Sequence, residues 1–253
     1  MHVVGSQLLS FGVVSADVWK LAVDEQTGNL WVVYSDQIGM TVTLTAIAVA
    51  STRTFPIRGA KHTAAWDARH RCMVLVEDSV LLAWKSDGTC FPLSDAPDVF
   101  QRAIALQMVG DRTYVQTGQS GIVMEDGRFL HELQLPNYSI GNLIVHPDDL
   151  RVFMVYFSDQ ACTTKRIIVW DAHGRLQTRT FAGLTPGMMT SMAVGIGGQL
   201  YVAMEKKIVG VNAAGSICLE FAIPDYVRYM TTDRTRFILY LCCNNDRVYA
   251  FTL

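Results

Sequence analysis

Residues Gly198 to Ile223 read GQLYVAMEKKIVGVNAAGSICLEFAI and predict three consecutive β-strands. An apolar strand with a bulky residue near its start, Leu200-Tyr201-Val202-Ala203, is followed by a short loop and a second apolar run. A tight turn then reaches Gly215, a residue that readily adopts the positive φ angle of such turns. The stretch therefore predicts an antiparallel sheet whose neighbouring strands follow each other directly along the chain.

The same order of strands and turns recurs six times along the chain. Each repeat has an apolar first strand, a polar turn and a second strand with a bulky residue near its start. These marker residues are Trp31, Met73, Tyr114, Phe153, Tyr201 and Ile238, spaced 37 to 48 residues apart. A four-stranded propeller blade needs about 40 to 50 residues. The repeats therefore predict an all-β fold, a single β-propeller of six four-stranded antiparallel blades that occupies residues 1–253 as one domain.

The last repeat lacks a fourth strand, and the N-terminus supplies a sequence that fits it. The chain ends at the third strand of that repeat, Arg247 to Leu253. At the other end, Gly5 to Phe11 aligns with Gly215 to Phe221, which contains the fourth strand of the preceding repeat. We therefore expect the N-terminal strand to complete the last blade and close the ring, since an open propeller would expose unpaired sheet edges.

The composition indicates a large buried core and argues against two classes of partner. Hydrophobic residues make up 50% of the 253 residues and charged residues only 17%, with a formal net charge of -2. Ordinary soluble domains have about 25% charged residues. Such a chain is not disordered, and its charge argues against a generic binder of nucleic acid or anionic membranes. No apolar run approaches the ~20 residues of a membrane-spanning helix.

The six cysteines show no metal-ligand spacing, and most lie in apolar, strand-like runs. Free cysteine in such runs behaves as a small hydrophobic residue. The pattern is typical of a reducing environment and predicts a cytoplasmic location.

The acidic and histidine residues that could support chemistry are interpreted as structural. Asp24, Asp67 and Asp233 each end the first strand of a repeat, where carboxylates commonly accept hydrogen bonds from turn amides. His146 occupies the same turn of the fourth repeat, and no other two histidines share its position. A zinc site needs three or four ligands in one place, and the sequence contains no nucleophile elbow or phosphate-binding loop. We therefore expect no enzyme activity, no cofactor and no bound metal.

The repeats resemble the NHL-repeat family of six-bladed propellers across essentially the whole chain. The matching stretches are Leu21 to Asp24 with Gly28 to Val32, Gly198 to Val202 with Ile208 to Val211 and Gly215, and the strand end Phe11-Gly12. Trp66-Asp67 and Trp170-Asp171 give a looser resemblance to WD repeats, without the Gly-His pair of that motif. The NHL resemblance implies a platform that binds proteins or RNA, in some members a hydrolase or lyase site at the central channel. It is also consistent with one domain of a longer protein.

One face of the predicted ring collects the loops between second and third strands and the connections between blades. The predicted partner-binding residues on this face are the apolar anchors Met188, Met189 and Phe100 and the rim charges Arg102, Lys206 and Lys207. A contiguous exposed apolar patch usually marks an interaction site. The alternative is that these apolar residues plug the channel mouth or pack between blades. The same loops carry seven basic and ten acidic residues, which is not the basic face expected of an RNA-binding surface.

The leading hypothesis is therefore a noncatalytic module or scaffold that binds another protein or a peptide segment, with no membrane partner. RNA binding and a metal-dependent hydrolase or lyase site at the channel remain as alternatives.

Overall fold

The computed structural model describes residues 5–9, 17–35, 42–48, 51–57, 63–77, 80–95, 100, 102–118, 120–134, 143–157, 165–177, 184, 189–244 and 247–253. Within them, β-strands account for nearly all of the regular secondary structure.

The strands form four-stranded antiparallel sheets, numbered here 1 to 6 in chain order. Sheet 1 contains β2 (Asp17–Asp24), β3 (Asn29–Ser35), β4 (Val42–Ala48) and β5 (Ser51–Ile57). Sheet 2 contains β6 (Ala64–Asp67), β7 (Cys72–Glu77), β8 (Val80–Trp84) and β9 (Cys90–Asp95). Sheet 3 contains β10 (Ala105–Val109), β11 (Arg112–Gln116), β12 (Ser120–Glu125) and β13 (Arg128–Gln134).

The second half of the chain repeats this arrangement. Sheet 4 contains β14 (Ile144–Val145), β15 (Val152–Phe157), β16 (Lys165–Trp170) and β17 (Leu176–Gln177). Sheet 5 contains β18 (Met189–Val194), β19 (Leu200–Met204), β20 (Lys207–Val211) and β21 (Ile217–Ala222). Sheet 6 contains β22 (Val227–Asp233), β23 (Ile238–Cys243) and β24 (Val248–Thr252), and its fourth strand is β1 (Gly5–Leu9).

The N-terminal strand β1 lies beside β24, where the sequence alignment places it. The two strands are antiparallel, and their register runs from Gly5 opposite Thr252 to Leu9 opposite Val248. Ser10 and Phe11, which the alignment also assigns to this strand, lie outside the described residues.

Neighbouring sheets pack face to face through the bulky residues of the second strands. Trp31, Tyr114 and Tyr201 are completely or almost completely buried, and the rings of Trp31 and Trp66 lie 5.6 Å apart between sheets 1 and 2. Burying one such side chain contributes about 1.5–3 kcal/mol. The first strands also contact one another from sheet to sheet, in the order β2, β6, β10, β14, β18 and β22, and β22 contacts β2. The predicted all-β propeller is confirmed.

The hairpin between β12 and β13 shows how local sequence determines the turns. Asp126 and Gly127 connect the two strands with φ angles of 48° and 76°. Positive φ at both central residues is typical of the tight hairpin turn that Asp-Gly favours. The local sequence Asp126-Gly127 therefore accounts for this turn.

Antiparallel order gives each sheet two ends with different connections. The turn face carries the turns from first to second strand and from third to fourth strand. The loop face carries the loops from second to third strand and the connections between sheets. No helix in the described part of the chain is long and apolar enough to cross a membrane.

The cysteine residues of the described chain are free thiols: Cys72, Cys90, Cys218, Cys242 and Cys243. Burial raises the pKa of Cys72 to about 12 and that of Cys243 to about 11. Both are therefore protonated at neutral pH and act as apolar packing residues.

Candidate functional site

A central cavity of about 1060 Å³ runs between the sheets and is lined by their first strands. Every sheet contributes to the wall, for example through Ala22, Trp66, Leu106, Val145, Met192 and Met230. Each first strand pairs with its second strand along one edge only. The other edge carries backbone amide and carbonyl groups that can bond to side chains or to a ligand.

Lys20 is one of three basic residues of the described chain that line this cavity, with Arg228 and Arg234. It lies on β2 in sheet 1, and its Nζ atom is 3.4 Å from the carbonyl oxygen of Leu106 on β10, two sheets away. No carboxylate of the described chain forms an ion pair with it. Burial lowers the pKa of the Lys20 ammonium group to about 8, with no charged neighbour among the causes.

Three neighbouring first strands carry a β-bulge at the same position near the loop face. The register shifts between Met189 and Ser191 in β18, between Val227 and Tyr229 in β22, and between Val18 and Lys20 in β2. These strands belong to sheets 5, 6 and 1, which are consecutive. A bulge redirects the side chains beside it, and the residues that follow the three bulges, Ser191, Tyr229 and Lys20, all line the cavity.

The end of the cavity at the turn face is crossed by an ion-pair network centred on Arg234. Its Nε atom lies 3.0 Å from Oε1 of Glu25 in sheet 1, and its Nη1 atom lies 3.0 Å from Oδ1 of Asp148 in sheet 4. The Arg234 side chain thereby extends past the turn of sheet 5. That turn contains Gly195, Gly197 and Gly198, which have no side chains. We call Glu25, Arg234 and Asp148 the turn-face network.

The aspartates that end the first strands serve the turns, as predicted. Asp24 accepts hydrogen bonds from the amide of Gln26 and the hydroxyl of Thr27. Asp67 accepts from the amides of Arg69 and His70. These bonds use the carboxylate oxygens within each turn, so the structural interpretation of both aspartates is confirmed.

Asp233 repeats this arrangement in sheet 6. Its carboxylate accepts from the amide of Arg236 at 2.9 Å and from that residue's guanidinium at 3.0 Å. The same guanidinium donates to the carbonyl oxygens of Glu25 and Gln26 in sheet 1. Asp233 therefore positions an arginine that joins two sheets.

A second arginine joins sheets 1 and 2 on the turn face. The Nη2 atom of Arg71 lies 2.6 Å from Oδ2 of Asp24. Although burial opposes it, hydrogen bonding from Arg71 and from Thr27 lowers the pKa of the Asp24 carboxyl group. Asp24 is therefore ionised at neutral pH and already bonded on both oxygens.

His146 is buried in the corresponding turn of sheet 4. Its Nδ1 atom accepts a hydrogen bond from the amide of Asp148 and lies 3.2 Å from Oδ1 of Asp149. Burial lowers the pKa of the imidazole, although the carboxylates of Asp149 and Asp148 oppose the shift. Within the described ranges, no three histidine, cysteine or acidic side chains are grouped as a metal site would require.

Two of the predicted apolar anchors, Met189 and Phe100, are buried. Both are 3% exposed. Met189 packs among core residues of sheets 4 and 5, including Val155 and Val209. Phe100 packs against Leu106 and other residues between sheets 2 and 3. Adjacent sheets therefore enclose both side chains, which agrees with the alternative of packing between blades and not with an exposed apolar patch. Met188 lies outside the described residues.

The predicted rim charges are at the surface. Arg102 and Lys206 are exposed, while Lys207 is partly exposed and its Nζ atom lies 3.0 Å from Oε1 of Glu220. Their role in binding a partner stays a prediction.

Other exposed apolar side chains occur on both faces. On the loop face, Ile104 and Tyr226 are 48% and 40% exposed. Near the turn face, Phe129, Leu176 and Ile217 lie at the outer strands of sheets 3, 4 and 5 and are 66%, 62% and 41% exposed.

Sequence reasoning missed Lys20 and the turn-face network. One usable signal was present, a lysine inside the otherwise apolar run Val18 to Val23. No comparable signal pairs Arg234 with Asp148, because 86 residues separate them and they lie in different sheets.

No protein-family model matches the chain, and no curated protein matches it significantly. Solved structures do match it. A crystal structure of a protein of unknown function from Bacteroides thetaiotaomicron has a TM-score of 0.69 at 11% identity, over 98% of this chain and 72% of the other. These matches show the fold alone, a β-propeller.

Two further matches are a lyase and a set of WD40 repeats. A catalytically inactive variant of virginiamycin B lyase from Staphylococcus aureus, solved with quinupristin, has a TM-score of 0.61 at 13% identity, over 98% of this chain and 99% of the other. The RRP9 WD40 repeats have a TM-score of 0.63 at 10% identity, over 98% of this chain and 97% of the other. The propeller is therefore shown, and the NHL family is not specifically supported.

Proposed function

We propose that the chain is a noncatalytic interaction module, a closed ring of six blades that binds a segment of another protein on its loop face. The pairing of β1 with β24 and the succession of contacts among the six first strands support the closed ring. The likeness to the RRP9 WD40 repeats, which extends over nearly the full length of both chains, supports the propeller fold on which such a module would be built.

The engagement of the acidic groups supports a noncatalytic role. The cavity-lining carboxylates Asp24, Glu25 and Asp148 are each bonded to an arginine of another sheet. A carboxylate that acts as a general base, or that holds a metal, needs an oxygen available to substrate or ion. For Asp24, Glu25 or Asp148 to act as a general base or metal ligand, its ion pair with arginine would first have to break.

The observation that carries the proposed location is the exposure of Ile104 and Tyr226 on the loop face. Ile104 leads into sheet 3 and Tyr226 into sheet 6, so the two lie on opposite sides of the cavity. A segment that crosses the cavity end can contact both. Arg102 and Lys206 are exposed on the same face and fit a charged rim around these apolar contacts.

The test is affinity capture from a native extract, comparing two pairs of variants. Ile104→Asp and Tyr226→Asp alter the loop face, whereas the matched Phe129→Asp and Leu176→Asp alter the outer strands near the turn face. We expect a captured protein to be lost with the first pair and retained with the second.

Three results would contradict parts of the proposal. Loss of capture only with Phe129→Asp and Leu176→Asp would move the binding surface to the outer strands. A captured complex that dissociates on ribonuclease treatment would favour the RNA-binding alternative. Metal-dependent hydrolysis or elimination by the purified protein would favour the enzyme alternative.

A further inference from the structure

The Lys20 ammonium group is a partly exposed cation on the cavity wall, with few partners. Its Nζ atom has three donor hydrogens, and within the described chain its one polar contact is the 3.4 Å approach to the Leu106 carbonyl oxygen. Partial removal of an ammonium group from water without an opposite charge is unfavourable, and such groups are often paired or functional. Lys20 is therefore suited to receive an anion from outside the protein.

Several uncharged polar groups line the same cavity as Lys20, as does the guanidinium of Arg228. Ser191 and Tyr229 follow the bulges of the two preceding sheets and line the same cavity. Gln107, next to Leu106 on β10, lines it as well and uses its Oε1 atom to accept from the amide of Val145. This set offers hydroxyl and amide groups to a bound anionic head without adding negative charge.

The remaining wall of the cavity is largely apolar. Leu21, Met108, Ile144, Met192 and Met230 contribute to it. A volume of about 1060 Å³ is comparable with sites that enclose a small organic molecule, for which about 300–1,000 Å³ is usual. The turn-face network crosses the far end, where its own carboxylates are paired. Negative charge is thus concentrated away from Lys20.

We infer that the central cavity binds a small amphiphilic organic anion, with its carboxylate-like head at Lys20 and its apolar body against the first strands. This site is separate from the docking of a protein on the loop face, and it involves no chemical step. The anionic head supplies a counter-charge to Lys20. The apolar body contacts the methionine and aliphatic side chains of the cavity wall.

Isothermal titration calorimetry with octanoate tests this inference, with octanamide and inorganic phosphate as comparison probes. The variants are Lys20→Met, which removes the charge, and Lys20→Arg, which retains it. Lys206→Met is the matched control, because it removes an exposed lysine outside the cavity. We expect octanoate to bind the natural protein with a Kd below about 1 mM, and Lys20→Met to weaken it at least about tenfold.

The comparison probes separate the head from the body of the ligand. Octanamide should bind the natural protein at least about tenfold more weakly than octanoate, because it lacks the charge. Inorganic phosphate should bind more weakly than octanoate, because it lacks the apolar body. Lys20→Arg and Lys206→Met should stay within about twofold of the natural protein, well under 1 kcal/mol by the same conversion.

A second measurement does not depend on a folded variant. Limited acetylation followed by mass spectrometry reports the reactivity of each lysine in the natural protein. Octanoate should slow the acetylation of Lys20 and leave that of Lys206 unchanged. Absence of octanoate binding, equal binding by Lys20→Met, or unchanged Lys20 acetylation would overturn the inference. Phosphate binding as tight as octanoate binding would overturn the amphiphilic character of the ligand.

Discussion

Arg234 and Asp148 form an ion pair of 3.0 Å between sheets 6 and 4, across the turn of sheet 5 that lies between them. The same guanidinium is bonded to Glu25 of sheet 1. One side chain therefore joins three sheets at the turn face. The pair with Asp148 thereby adds a contact between sheets 4 and 6 to the packing of consecutive sheets.

The turn-face network should stabilise the fold more than an isolated surface ion pair. Arg234→Met removes two ion pairs that are partly buried at the arginine, and we expect a loss of about 1–3 kcal/mol in the free energy of unfolding. Lys207→Met is the matched control, because it removes one exposed pair with Glu220 and should cost about 0–1 kcal/mol. Urea unfolding of both variants measures the difference, and equal costs would contradict it.

Lys20→Met should stabilise the protein at neutral pH. Burial lowers the pKa of Lys20 from 10.5 to about 8, so the charged form is disfavoured by folding. Each pKa unit corresponds to about 1.4 kcal/mol, which sets an upper limit of about 3 kcal/mol on the gain. Thermal or urea unfolding at pH 7 measures it. A destabilised Lys20→Met variant would mean that the ammonium group has a stronger internal partner than the Leu106 carbonyl oxygen.

The advantage of Lys20→Met should shrink as the pH rises above 8. Between pH 8 and 10.5 the folded protein has released the Lys20 proton while the unfolded chain still holds it. The natural protein therefore gains stability with rising pH from this group. We expect the difference between the two proteins to fall from pH 7 to pH 9.5, by at most about 2 kcal/mol because Lys20 is partly exposed. A pH-independent difference would argue against a buried, titrating Lys20.

Octanoate binding should weaken over the same pH range, because only the protonated lysine pairs with a carboxylate. Other charged groups facing the cavity should contribute little above pH 7. Asp24 has a lowered pKa, Glu25 and Asp148 are paired with Arg234, and the guanidinium of Arg228, which also lines the cavity, remains charged. The measurement is a series of calorimetric titrations from pH 7 to pH 9.5. Affinity that stays constant would show that Lys20 does not hold the anion.

Met189→Asp should unfold the protein or cost more than about 3 kcal/mol, because it buries a carboxylate among apolar side chains. Ile104→Asp is the matched comparison, since Ile104 is 48% exposed and a carboxylate there remains hydrated. We expect its effect to be within about 0.5 kcal/mol. Circular dichroism melting curves distinguish the two, and an unchanged Met189→Asp variant would contradict the observed packing.

Sequence reasoning succeeded where the determining interactions are local. Gly127 and Asp126 set their turn through their own φ preferences, and Asp24 bonds to residues two and three positions away. The second-strand residues Trp31 and Tyr201 are recognisable because they recur at similar positions in their repeats. These local features predict an all-β propeller, although they do not specify the contacts between neighbouring sheets.

It failed where the outcome depends on neighbouring sheets. Phe100 and Met189 lie in or beside connections between sheets, and their burial follows from side chains contributed by adjacent sheets. Lys20 reaches Leu106 across 86 positions of sequence. The sequence pattern within one repeat contains no information on contacts between sheets. The cavity and the position of Lys20 in it could therefore not be predicted from the sequence.

The three bulges have a consequence for symmetry. They occur in sheets 5, 6 and 1, whereas the described pairs of the first strands in sheets 2, 3 and 4 show no register shift. Identical units would offer equivalent contacts to a guest on every side of the cavity. In sheets 5, 6 and 1 the bulges instead precede Ser191, Tyr229 and Lys20 on consecutive parts of the wall, so an elongated guest that pairs with Lys20 would be held in one orientation.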